Sequence, residues 1–180
     1  DDGAGDYEVA DGTVDFKNNV VYNWNIKAIY GGEEGWFNVE DNYFRPGPAT
    51  RSLDGEWLDI STSETTSMIP GSFYIDGNIY DVSAVRKGGL DGRRPDCEKI
   101  ASWKDVYEMK SVEEPFAIKM ELDAEDAEDA YRSVLKGAGA SRKRDAVDKR
   151  IVKEVRRGRA AFCGSVTGLP GIIDSEDDVR

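Results

Sequence analysis

Carboxylates dominate the chemistry this chain can offer. Thirty-six Asp and Glu stand against 24 Lys and Arg, and there is no histidine. The missing imidazole removes Ser-His-Asp and Cys-His nucleophile systems, histidine general bases and nearly all catalytic zinc sites. Catalysis would have to run on carboxylates, Arg, Lys, Tyr or a metal with oxygen ligands. Glu33, Glu34, Glu40 and Asp41 form one acidic group of the kind calcium takes. The same four residues would also serve as a solvated edge that repels other strands. Arg86, Lys87, Arg93 and Arg94 gather positive charge, either for an anionic ligand or simply as an Arg-rich loop. Cys97 and Cys163 sit in no C-x-x-C pair. A disulfide between them would close a long loop and contribute about 4 kcal/mol, and the sequence leaves that pairing open.

The net charge of −12 argues against nucleic acid as a partner, because phosphate binding draws on clustered Lys and Arg. A polyanionic ligand would need a local basic groove or bridging cations rather than the overall field. No apolar run is long enough to cross a membrane, and no signal peptide is read in the chain. It opens on Asp rather than Met, which suggests a processed product or a piece of something longer.

The elements that would position these groups repeat. Val14-x-Phe16-x-x-Asn19-Val20-Val21 returns as Phe37-x-Val39-x-x-Asn42-Tyr43-Phe44 and again as Phe73-x-Ile75-x-x-Asn78-Ile79-Tyr80. Alternation at period two buries one face of a strand. The asparagine suits the left-handed backbone of a tight turn. Strand-turn-strand units with a fixed asparagine predict a stacked β-solenoid, each coil burying its apolar face against its neighbours. Three unrelated strands of a mixed sheet are the alternative. Asn25 to Tyr30 offers a further short strand of the first coil, and an insertion around Leu53 to Pro70 separates the second coil from the third. From Asp123, a plausible N-cap, the period becomes helical. Ala127, Ala130, Tyr131, Val134 and Leu135 make an apolar stripe that ends at Gly137 or Gly139. A second helix is expected from about Arg144 to Arg156, with Val147, Ile151 and Val155 on one face. Asp145 with Lys149 and Arg150 with Glu154 are read as i, i+4 pairs on its outer face. The division expected is β-helix coils and loops over 1–120, then helices and a tail over 121–180 packing on the solenoid.

Several of these motifs resemble a known family. FKNNVVYNW, the YGGE at Tyr30 to Glu33, DNYFRPGPATRS at Asp41 to Ser52 and GSFYIDGN at Gly71 to Asn78 look like later coils of bacterial pectate lyases. The segment from Asp126 to Gly158 and GIIDSEDDV at Gly171 to Val179 are similar to the C-terminal region of these secreted polysaccharide lyases. The resemblance implies an all-β, right-handed parallel β-helix that binds polygalacturonate (pectin) in a surface cleft and cleaves it by calcium-assisted β-elimination. Calcium would also link an acidic protein to an acidic polymer. The family's calcium ligands and its catalytic Arg find no match between Asp1 and Arg180. The expectation is therefore the C-terminal portion of a secreted or cell-surface lyase, a monomer at full length, without catalytic or metal-binding residues of its own. Lys27 and Arg45 stand as candidate contacts to substrate carboxylates, and Tyr30 as a surface for a sugar ring. A non-catalytic pectin-binding β-helix, or a structural solenoid at a cell surface, would look the same in these residues.

Overall fold

The computed structural model describes residues 12–30, 32, 35–51, 58–59, 71–83, 110–120 and 122–179. Glu33, Glu34, Cys97 and the basic group from Arg86 to Arg94 lie outside them. The first repeat supplies strands β1 (Thr13–Lys17) and β2 (Val20–Tyr22), followed by β3 (Ile29–Tyr30). The second gives β4 (Trp36–Glu40) and β5 (Tyr43–Arg45), with β6 (Leu58–Asp59) beyond it. The third gives β7 (Ser72–Asp76) and β8 (Ile79–Tyr80), and β9 (Lys110–Ser111) follows.

Every strand pairing among the described residues is parallel, in three sheets ordered β1-β4-β7-β9, β2-β5-β8 and β3-β6. The register reproduces the sequence repeat. Val14 lies beside Phe37 and Phe37 beside Phe73, while Phe16, Val39 and Ile75 make the next row. This is a stack in which one strand of each sheet comes from each turn of chain, compatible with part of a β-helix. The expected strand between Asn25 and Tyr30 is β3, and the insertion contributes β6 as its partner. The repeat pattern stops at Tyr80, yet β9 adds a fourth strand to the first sheet. Its two residues are too few to carry a pattern.

Stacking like on like sets the interior. Trp24, Val39, Phe44, Phe73, Tyr80 and Val82 form the buried core. Phe37 and Phe73 stack at 4.6 Å between ring centroids, and Trp24 meets Phe44 edge-on at 6.4 Å. Such aromatic pairs add about 0.5–1.5 kcal/mol beyond the area they bury.

The repeated asparagines do something other than turn the chain. The left-handed residues are those just before them: Asn18 (φ 56°), Asp41 (φ 50°) and Gly77 (φ 66°). Asn19, Asn42 and Asn78 instead form a ladder through the stack. Asn42 Oδ1 accepts from the backbone and side-chain amides of Asn19 at 2.9 and 3.0 Å, and Asn78 Oδ1 accepts the same pair from Asn42 at 3.0 and 2.9 Å. Their Nδ2 groups donate to Phe16 and Val39 carbonyls at 2.7 Å. An amide can do this because it carries donor and acceptor on one planar head.

After β9 the chain returns across the first sheet. Asn38, outward on β4, pairs reciprocally with the backbone N–H and C=O of Phe116, both at 2.9 Å. Asn18 does the same to Glu125 at 3.0 and 2.6 Å. Helix α1 (Ala127–Gly137) then packs on β2 and β5. Its N-cap is Asp126, which accepts from Asp129 N, and not the expected Asp123. With Glu125 tied to Asn18, the helix has not begun at Asp123. Helix α2 (Ala146–Arg157) is capped by Asp145 and ends at Gly158 in the left-handed region, where glycine carries no Cβ penalty. Arg150 and Glu154 pair as expected at 3.4 Å, but Glu154 is buried because it also accepts from Ala161 N. The Asp145 side chain serves as the cap, donated to by Asp148 N. Val155 is buried, whereas Ile151 on the same stripe is exposed.

Candidate functional site

The outward rows of the stack carry the polar chemistry. Arg45 projects from β5, and its Nη1 lies 3.0 Å from Asp81 Oδ2 and 3.4 Å from the Tyr131 hydroxyl on α1. Its guanidinium sits 6.0 Å from the centre of the Tyr131 ring. Tyr43, one residue pair away on the same face, donates to Asp81 at 2.7 Å and stacks on Tyr131 at 4.3 Å. Ser83 N closes the set at 2.9 Å from Asp81 Oδ1. Burial would raise the Asp81 pKa, but the Ser83 and Tyr43 hydrogen bonds and the Arg45 charge outweigh it and hold the carboxyl below its ordinary value. Burial pushes the neighbouring phenols the other way, Tyr22 to about 12 and Tyr43 and Tyr131 also upward. This is a closed polar cluster between β5, β8 and α1, and Arg45 is only 12% exposed within it. It fixes where α1 sits.

The other expected residues lie elsewhere. Lys27 is half-buried on the segment that leads into β3 and is engaged with the protein around it. Tyr30 ends β3. The two cations and the tyrosine are thus divided, with Arg45 facing α1, Lys27 just before β3 and Tyr30 at its end. Of the acidic group, Glu40 is bound to Lys17 at 2.9 Å and Asp41 occupies the left-handed turn. Burial lowers the Lys17 pKa, but the Glu40 hydrogen bond and charge more than reverse that. No group of three or more His, Cys, Asp or Glu among the described residues is placed to hold a metal ion. Cys163 is exposed and forms no disulfide among the described residues, and its backbone is bridged to Pro170.

Sequence reasoning did not find Asp81, Tyr43 or Tyr131 as one cluster. The signal was slight: Asp81 follows the third repeat at the position where Arg45 follows the second.

Parallel strands stacked from successive turns of chain, with an inner asparagine ladder and a helical wrap, define a protein of β-helix-compatible build. No protein-family model matches it. Among curated proteins, it is 31% identical over 171 residues to a protein of Neosartorya fischeri named "Probable pectate lyase C", which covers 91% of this chain and 37% of that protein. Namesakes from Aspergillus flavus and Aspergillus oryzae are 31% and 32% identical over 148 and 149 residues, 80% of this chain and 32% of theirs. Over most of its length the chain is thus similar to proteins of the pectate lyase family. These relatives are fungal, where the sequence resemblance points to bacterial enzymes. The chain spans about a third of their length. No helix among the described residues is long and apolar enough to cross a membrane.

Proposed function

We propose that this chain is the C-terminal portion of an extracellular polysaccharide lyase that acts on pectate, folded as a right-handed parallel β-helix. The observation that carries the reading is the match of most of the chain to proteins named pectate lyase. Two features of the fold support the portion claim. β1, β2 and β3 each stand at the edge of their sheet, with one strand neighbour each among the described residues. Val14 and Ile26, on the same turn of chain, are 48% and 57% exposed. An apolar, unpaired edge of this kind is what a preceding coil would cover.

In this reading the elimination is calcium-assisted, and its calcium ligands and base come from residues outside those described. Lys27 and Tyr30 are the proposed contacts to carboxylate and sugar ring. Arg45 joins them only where its pair with Asp81 opens. The second reading is a non-catalytic module that holds pectate and needs no metal-binding group of its own.

The test is the intact mass and N-terminal sequence of the protein as its source cell makes it, followed by an elimination assay on polygalacturonate with and without calcium. A longer product that forms unsaturated uronate ends only with calcium supports the lyase. Retention on immobilised polygalacturonate without unsaturated ends would leave the binding module, and neither result would sink both.

A further inference from the structure

We propose that the exposed side of α2 is a second binding surface for a polyuronate chain, one that works without calcium. The proposal rests on the pectate reading above. Nine of the chain's 24 basic residues fall between Arg142 and Arg159, against three acidic ones, in a protein whose net charge is −12. Lys149, Lys153 and Arg157 recur at four-residue spacing, so they make one exposed ridge along about 12 Å of helix.

The ridge separates two grooves. One is a cavity of about 780 Å³ that the ridge lines together with Arg150, Arg159 and Ala160. The other, about 380 Å³, has Arg144 and Arg156 on its far side. Among the described residues Lys149, Lys153 and Arg157 form no ion pair. Of the acids beside the ridge, Glu154, which also lines the larger groove, is occupied by Arg150 and by the Ala161 amide, and Asp145 by its capping bond from Asp148 N. The Arg150 guanidinium carbon lies over Phe162, 4.1 Å from the ring centre, and its buried Nη2 has no hydrogen-bond partner among the described residues.

Like charges at i, i+4 repel, and the helix dipole rewards Arg156 and Arg157 near the C-terminus but not Lys149 near the start. An anionic partner would relieve this repulsion. The net charge of −12 repels a polyanion overall, so a local run of nine cations focuses its approach on this face. A linear polymer with a carboxylate on each sugar suits a straight ridge of single charges. Ala146, Ala160 and Ala161, which line the larger groove, offer apolar contacts for the sugar faces.

The experiment is co-sedimentation of the 180-residue chain with polygalacturonate in EDTA across a salt series, repeated with calcium. The ridge variant is Lys149→Glu, Lys153→Glu and Arg157→Glu together. A control of equal charge change is Lys119→Glu, Arg132→Glu and Lys136→Glu. Binding in EDTA that weakens with salt, falls about tenfold to hundredfold in the ridge variant and less in the control supports the proposal. Equal loss in both variants, or in neither, overturns it. So does single-stranded DNA bound as tightly and with the same dependence on the ridge. Binding seen only with calcium and indifferent to the ridge overturns this surface while keeping the pectate reading. No pectate binding under either condition overturns this surface together with the reading of the chain as a pectate-holding module. Should the reversed ridge fail to fold by circular dichroism, the Lys→Gln and Arg→Gln set replaces it, since Gln keeps the helix propensity.

Discussion

The stacked strands and the helical wrap use the same residue in opposite ways. Inside the stack, Asn19, Asn42 and Asn78 hydrogen-bond to one another, so each copy of the repeat supplies what the next one needs. On the outside, Asn18, Asn38 and Asn23 each hold a different, unrepeated piece of chain. Asn18 takes Glu125, Asn38 takes Phe116, and Asn23 bridges Ala49 N to Pro170 C=O at 2.8 Å on either side. The first arrangement is cooperative, because no rung can be solvated without opening its neighbours. The second is a set of separate ties, each to its own piece of chain and each able to open without disturbing the others. The stack should therefore fail globally and the wrap piece by piece.

Removing a rung should have the largest effect. Asn42 is fully buried. Asn42→Ala leaves the Asn19 N–H and the Phe16 carbonyl without partners. At roughly 1–3 kcal/mol for each orphaned group, the loss is about 4 kcal/mol. Denaturant unfolding should show one cooperative transition at a lower midpoint. A cost no greater than that of an outer asparagine would break the comparison at once.

Asp81 joins the two regions, so its loss should rank second. Asp81→Asn strands the Arg45 charge under α1, at about 3 kcal/mol. Its folded pKa is depressed, so the carboxylate's contribution is present above the ordinary 3.8 and is lost as pH falls through the lower folded value. The wild-type protein should lose stability on acidification below about pH 3.8, and Asp81→Asn should flatten that limb. An acid limb of unchanged slope would mean that another carboxylate carries it.

An outer tie should cost less. Asn38→Ala gives up both bonds to Phe116, but the segment over it can lift and admit water, so about 1 kcal/mol is expected. Hydrogen exchange should quicken at Phe116 and its neighbours, while the core rows around Phe44 and Phe73 keep their protection. Quickening across both regions would show that the wrap is part of the same cooperative unit.

This contrast also explains what could be read from the sequence. The register was legible because it is the repeat itself: Phe37 falls beside Phe73 in the structure as in the alignment of motifs. The ladder was half legible, since the position of the asparagine was visible but not that Asn18, Asp41 and Gly77 would take the turn. The second strand of the third sheet and β9 were not legible, because strands two residues long show no period. The start of α1 was misplaced by three residues because Asp123 and Asp126 offer the same cap, and only Asn18, more than a hundred positions away, decides between them. The candidate site suffered most. Arg45 reads as a free cation along the chain, and it takes Asp81 and Tyr131, from two other elements, to turn it inward.

The smallest effect should come from the far end of the wrap. Asp174 accepts from the Thr167 hydroxyl and from the Val166 and Thr167 amides, which draw its pKa down to about 2. Its own amide in turn donates to Asp178, which also accepts from Ser165 and Ser175. These bonds are local and open to solvent, so they order one loop without supporting the stack. The ordering should be present above pH 3.8 and lost as pH falls through about 2. Asp174→Asn should release the Val166 and Thr167 amides to fast exchange at neutral pH and leave the global unfolding midpoint unchanged. A shifted midpoint would mean that the tail, through Pro170 and Asn23, is coupled to the coils it lies against, and the division between a cooperative stack and a severable wrap would have to be drawn beyond the last residue of this loop.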